Sequence, residues 1–197
     1  MIGLDVNEEL LEEARSRGIA GAEFRSADLR EPLDLGLEAD GLWSSFAAAY
    51  FPDLPAALAR WQRCLRPGGW VALTEIDDLF GHEPLSRATR ALFEDFAREA
   101  LATKRYDFHM GRKLRDHMER AGLTISRVMT LEDRELSFQG PAPPDVMAAW
   151  RARFERMRGL QDFFGSRFAE VKEEFLDCLS HGDHSCAARV ICCLATG

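Results

Sequence analysis

The chain has 197 residues, 46% hydrophobic and 29% charged, a composition that suits one globular domain with a sizeable core. A net charge of −8 and a pI of about 5.2 exclude a nucleic-acid backbone or an anionic membrane surface as the main partner. No apolar run approaches the roughly 20 residues that span a bilayer, no basic-then-apolar leader follows Met1, and five cysteines without framework spacing read as reduced thiols, so a cytoplasmic location is expected.

In chain order, Ile2 to Leu4 read as a short buried strand that ends at Asp5. Asn7 is a good N-cap, and Glu8 and Glu9 fall where the helix dipole favours acids, so a helix is predicted over Asn7 to Arg17, stopped by Gly18. A strand ending in an acid and feeding directly into a helix is how nucleotide-binding sheets present a carboxylate to a ribose. Glu23 to Ala27 is a second strand, ended by Asp28, and Gly41 to Ser45 a third. Leu54, Leu58, Trp61 and Leu65 recur at helical spacing. Arg66-Pro67-Gly68-Gly69 then reads as a turn into an apolar strand, Trp70 to Ile76, with Glu75 and Asp77 clustered at its exit. Beyond it come a long helix (Leu85 to Ala102), a polar and aromatic loop, a helix from Lys113 to Ala121 and a strand from Thr124 towards Leu136. Two more helices, Asp145 to Arg158 and Phe163 to Leu179, precede a last strand over Ala187 to Ala195. Alternating strands and helices predict an α/β sheet with helices on its faces.

Four pieces in this order, Gly3-Leu4-Asp5-Val6, Glu23 to Asp28, Asp40 to Phe46 and Leu65-Arg66-Pro67-Gly68-Gly69, resemble a class I S-adenosylmethionine-dependent methyltransferase. The resemblance implies a Rossmann-like sheet with an antiparallel last strand. It covers residues 1 to about 80 in motif detail and the rest in element order. That family's first strand and its glycine-rich turn have no counterpart here, so an N-terminally truncated version is expected. One domain, 1–197, is expected, with 1–80 as the cofactor-binding half and 81–197 as a helical lid or substrate segment plus the final strands.

The resemblance also assigns roles. Asp5 matches the acid that holds both ribose hydroxyls, Val6 the apolar neighbour of adenine, and Asp28 with the Leu29 backbone the adenine amino contact. Ser44, Ser45 and Phe46 match the strand end beside the sulfonium, where an aromatic ring makes a cation–π contact. Tyr50, Tyr106, His109 and Arg112 are the acceptor-side candidates, and His109, His82 and Glu75 the candidate bases. Each has a plainer reading: Asp5 as a cap beside Asn7, Asp28 as a turn with Arg30, Glu75 and Asp77 as solvated loop acids, the tyrosine as loop packing. Cys178, His181, His184 and Cys186 fit no ordinary zinc spacing, so no metal is expected. A short-chain dehydrogenase is disfavoured, because neither Tyr50 nor Tyr106 is followed four residues later by lysine. The expected function is methyl transfer to a small-molecule acceptor, without nucleic acid or membrane, and a homodimer is allowed. The alternative is a non-catalytic remnant or a subunit whose cofactor site another chain completes.

Overall fold

The computed structural model describes residues 1–197. Strand β1 (Ile2–Asp5) pairs in parallel with β2 (Glu23–Ser26), and helix α1 (Glu8–Ser16) connects them. A separate four-stranded sheet is built from β3 (Ala39–Ser45), β4 (Leu65–Asp77), β8 (Arg189–Thr196) and β6 (Thr124–Leu131), in the order β3-β4-β8-β6. The β3–β4 pair is parallel, and β8 runs antiparallel to both its neighbours, as the antiparallel last strand predicted. β1 and β3 each have a ladder on one side only.

The Arg-Pro-Gly-Gly segment is not a turn ahead of β4 but a bulge within it. Ala39 faces Leu65 and Gly41 faces Trp70, so Arg66 to Gly69 loop out opposite Asp40. Gly68 supplies the positive φ (75°) this needs, and an ion pair of 2.8 Å from Arg66 to Asp40 closes it. At Gly41 a Cβ would stand 2.0 Å from the Trp70 ring, so only glycine lets that ring lie across β3.

One face of the larger sheet is covered by α2 (Leu54–Trp61) and α4 (Met110–Arg120). Asp53 caps α2 by accepting from Ala56 N at 3.1 Å. Its last turn tightens into a 3-10 turn at Gln62–Cys64, so Leu65, read as helical, becomes the first residue of β4. Leu54, Leu58, Trp61, Val71, Leu73, Leu114, Met118 and Cys193 form this core. The other face leaves Trp43 and Trp70 exposed.

A second core lies under a helical cap of α3 (Arg87–Ala102), α5 (Pro144–Arg156), α6 (Arg158–Phe164) and α7 (Phe168–Ser180), rich in phenylalanine and centred on Phe80, Phe93, Trp150, Phe154 and Phe175. The predicted helix over Phe163 to Leu179 is two helices, because Gly165 takes a positive φ (54°) and breaks the run. The predicted strand from Thr124 stops at Leu131: Asp133 Oδ1 accepts from Glu135 N and Leu136 N and turns the chain. A two-residue ribbon, β5 (His82–Glu83) with β7 (Ser185–Cys186), was not predicted; it joins the exit of β4 to the start of β8.

Candidate functional site at the strand exits

At the exit of β1, Asp5 Oδ1 accepts from Asn7 N at 2.8 Å, and the Asn7 side chain accepts from Glu9 N at 3.0 Å. Asp5 therefore shapes the strand-to-helix turn with one oxygen and keeps the other for further partners. Val6 is exposed. At the exit of β2, both oxygens of Asp28 are held by Arg30, with a shortest contact of 2.8 Å, and that guanidinium keeps the carboxyl below the usual range. The carbonyl of Leu29 accepts from Trp61 Nε1 at 2.8 Å, which anchors this loop to the first core. A cleft of about 260 Å³ lies against the loop and includes Asp28 but not Asp5.

The exits of β3 and β4 differ in kind. Phe46 follows Ser44 and Ser45 with φ 55°, and its N–H donates to the carbonyl of Thr74 at 2.8 Å. One strand over, Asp78 has φ 63°. Left-handed non-glycine residues cost of order 1–3 kcal/mol each, and two adjacent strand exits bear them. Glu75 and Asp77 are not solvated loop acids: both are buried on β4, Glu75 fully (0% exposed). Glu75 Oε1 accepts from Ala49 N at 3.0 Å in the 3-10 turn Ala48–Tyr50, and its Oε2 has no partner. Burial is the main reason its carboxyl is pushed up to about 7; the N–H groups of Ala49, Ile76 and Ala48 oppose the shift and the Asp107 charge adds to it.

The start of α4 closes the wall. A Cβ on Gly111 would lie 2.8 Å from the backbone N of Asp77, so glycine lets the first turn of the helix rest on β4. That contact brings Arg112 Nε to Asp77 Oδ1 at 2.6 Å and His109 Nδ1 to within 3.8 Å of the same oxygen. His109 is partly exposed, and its Nδ1 has no partner. Tyr50 and Tyr106 meet edge-on at 4.8 Å. Burial raises the phenol of Tyr106, and the charge of Glu75 raises it further. Beside them opens a cleft of about 330 Å³ lined by Ala49, Phe51, Leu101, Tyr106, Met110 and Lys113, among others.

The structure thus pairs Tyr50 with Tyr106, sets Arg112 and His109 at Asp77, and holds Glu75 by Ala49 and Phe46 by the Thr74 carbonyl at the neighbouring strand exits. It does not bring Asp5, Val6 and Asp28 into hydrogen-bond contact with Ser44 or Ser45, which lie on the other sheet. His82 sits elsewhere, fully buried in the second core against Trp150 and Phe175, with Nδ1 2.9 Å from His184 Nε2. Sequence reasoning missed the contributions of Gly111 and of the ion pair between Lys113 and Asp107 (2.6 Å); a glycine in the first turn of a helix was the one available signal for the former.

Comparison with known proteins fits this arrangement. Residues 1–73 match the family profile of the methyltransferase domain. The chain superposes on a proposed methyltransferase from Bacillus halodurans C-125 with a TM-score of 0.60 at 17% identity, over 99% of this chain and 81% of that one. It superposes on the [4+2]-cyclase SpnF with a TM-score of 0.58 at 16% identity, over 99% of this chain and 64% of that one. The fold is therefore that of the class I S-adenosylmethionine-dependent methyltransferases, and the resemblance read from the four sequence pieces is borne out. In sequence, the nocamycin O-methyltransferase of Saccharothrix syringae is 37% identical over 78 residues, 38% of this chain. The biotin biosynthesis bifunctional protein BioCD of Bordetella avium is 36% identical over 72 residues, 36% of this chain. These matches span 28% and 16% of the two curated relatives. No helix of the chain is long and apolar enough to cross a membrane.

Proposed function

We propose that the chain takes part in S-adenosylmethionine-dependent methyl transfer to a small organic acceptor. The observation that supports this best is the gathering of Phe46, Tyr50, Glu75 and Asp77 at the carboxyl ends of the parallel pair β3–β4, where ligands sit in open α/β sheets. The residues present fit the nucleoside half of the cofactor. Asp5 would accept from the ribose hydroxyls with its open oxygen. Asp28 would accept from the adenine amino group once it shares or releases Arg30, an exchange made easy by the exposure of that pair. When bound, S-adenosylmethionine supplies an electrophilic methyl group on a positively charged sulfur. The chain's own part is positioning and the exclusion of water, effects worth roughly 7–11 kcal/mol when reacting groups are well aligned. Tyr50, Tyr106, His109 and Arg112 are the residues proposed to face the acceptor, and the net charge of −8 favours a small organic molecule over a nucleic acid.

Calorimetry with S-adenosylmethionine and S-adenosylhomocysteine tests this. Micromolar binding that weakens at least tenfold in Asp5→Ala is the expected result; binding unchanged by that substitution would remove Asp5 from the ribose role. The alternative is a non-catalytic chain or one whose cofactor site another chain completes; the observation that bears on it is the division of the sheet, with β1 and β3 each paired on one side only. Absence of cofactor binding by the 197-residue chain alone selects that reading.

A further inference from the structure

Three buried carboxylates meet beside the exit of β4: Glu75, Asp77 and Asp107. Two are matched by cations, Asp77 by Arg112 and Asp107 by Lys113, each at 2.6 Å. Glu75 has no cation. Its Oε1 is held by Ala49 N, while Oε2 is closed off from water and unpaired. Neither protonation state removes the deficit: a carboxylate oxygen lacks a donor there, and a carboxylic O–H lacks an acceptor. Tyr50 and Tyr106 stand between Glu75 and the neighbouring cleft. Tyr50, exposed at the end of a 3-10 turn whose Ala48 and Ala49 are buried, lies against Tyr106, and Tyr106 and Ala49 both line the 330 Å³ cleft.

We propose that Glu75 Oε2 is the proton-accepting anchor of the acceptor, which is an amine or hydroxyl compound that presents an N–H or O–H with an apolar body seated in the cleft. This rests on the methyl-transfer reading above for its purpose, and on the cleft and the unpaired oxygen for its existence. The proton passes from the acceptor heteroatom to Oε2, turning carboxylate into carboxylic acid, and the bonding pair stays on the heteroatom as the attacking lone pair. Of the other two candidate bases, His82 is enclosed in the second core and spends Nδ1 on His184, while His109 is partly exposed beside an aspartate already held by Arg112. The titratable and charged groups around Glu75 are Tyr50 from the 3-10 turn, Tyr106 and Asp107 with Lys113 before and in α4, and Asp77 with Arg112 and His109 at the strand exit. A carboxyl poised near 7 in this setting titrates in the range where a base has to work.

The test needs no cofactor. Calorimetry on the whole chain compares benzylamine, benzyl alcohol and toluene, which share an apolar ring and differ in the donor they carry. Benzylamine and benzyl alcohol are expected to bind at least tenfold more tightly than toluene, and Glu75→Gln to abolish most of that difference while leaving toluene binding alone. Carboxyl-¹³C spectra of wild-type protein are expected to show one glutamate titrating near neutrality, moving to lower pH when benzylamine is added. Equal affinity for all three probes, or no binding of the donor probes at millimolar concentration, overturns the proposal. So does a wild-type spectrum without a near-neutral glutamate, a reading that does not depend on the variant folding. A chain that takes up benzylamine through Glu75 yet binds no S-adenosylmethionine keeps this site and overturns the methyl-transfer reading alone.

Discussion

The protein buries two polar clusters, and they differ in whether they are complete. In the second core, Cys186 Sγ lies 3.7 Å from His82 Nε2, His82 Nδ1 2.9 Å from His184 Nε2, and His184 Nδ1 2.9 Å from the Gly140 carbonyl. Since Gly140 can only accept, His184 Nδ1–H donates to the carbonyl and His82 Nδ1–H to His184 Nε2, which leaves His82 Nε2 as an acceptor facing the Cys186 sulfur. Each histidine nitrogen has a partner. At the exit of β4, by contrast, Glu75 keeps one enclosed oxygen without any. A complete polar row ties the β5–β7 ribbon to the aromatic core; an incomplete one leaves a place for something else.

The largest effect that would sharpen this contrast lies in the histidine row. Burial first, and the charge of His184 second, lower His82 to about 3 from an ordinary 6.5. The folded state favours neutral imidazole, so this stabilisation is complete above pH 6.5 and is lost as pH falls towards 3. The span is on the order of 4–5 kcal/mol at 1.36 kcal/mol per pH unit. Urea unfolding at a series of pH values is expected to show wild type losing stability relative to His82→Phe as pH falls across that window. Glu75 has the opposite sign. Its carboxyl is raised from 4.5 to about 7, so its contribution is complete below pH 4.5 and is lost as pH rises through 7. Relative to Glu75→Gln, wild type is expected to lose on the order of 3 kcal/mol between those limits. A stability difference between wild type and Glu75→Gln that stays constant from pH 4.5 to 7 would contradict the enclosed, unpaired state of Glu75.

Gly111→Ala comes next. It forces a methyl group against the backbone of Asp77, and a loss of about 1–3 kcal/mol by chemical denaturation is expected, the range for overpacking a tight contact. The substitution should also loosen Arg112 from Asp77, which would be visible as a change in the Arg112 Nε–H resonance. The smallest effect belongs to the exits of β1 and β2. Arg30→Ala removes an exposed ion pair and is expected to leave stability to chemical denaturation nearly unchanged, although it frees Asp28 for a ligand. A tighter nucleoside interaction in Arg30→Ala would show that the arginine competes for that carboxylate.

Much of this molecule was legible from its residues, and the reasons are physical. Short-range signals survived: Asn7 caps α1, and the Arg-Pro-Gly-Gly segment marks the entry to β4, although as a bulge. The class I sheet followed from the order of such signals. What was hidden depends on long-range partners. Whether Glu75 and Asp77 are solvated or enclosed is decided by α4 and the 3-10 turn that close over them, and the bond between Asp77 and Arg112 spans 35 residues. The pairing of His184 with His82 was hidden because the two lie 102 residues apart. The β5–β7 ribbon is two residues long on each side, too short for any alternation to register.

Tyr106 packs against both hydrophobic cores, a position no other side chain around them shares. The two cores are otherwise joined along the strands, since β4 and β8 each carry residues of both. The ring therefore acts on the cooperativity of unfolding more than on its total free energy. In Tyr106→Ala the single transition should separate into two, with Trp61 fluorescence reporting one core and Trp150 the other, whereas a truncation confined to one core would lower the midpoint and keep the two reporters together.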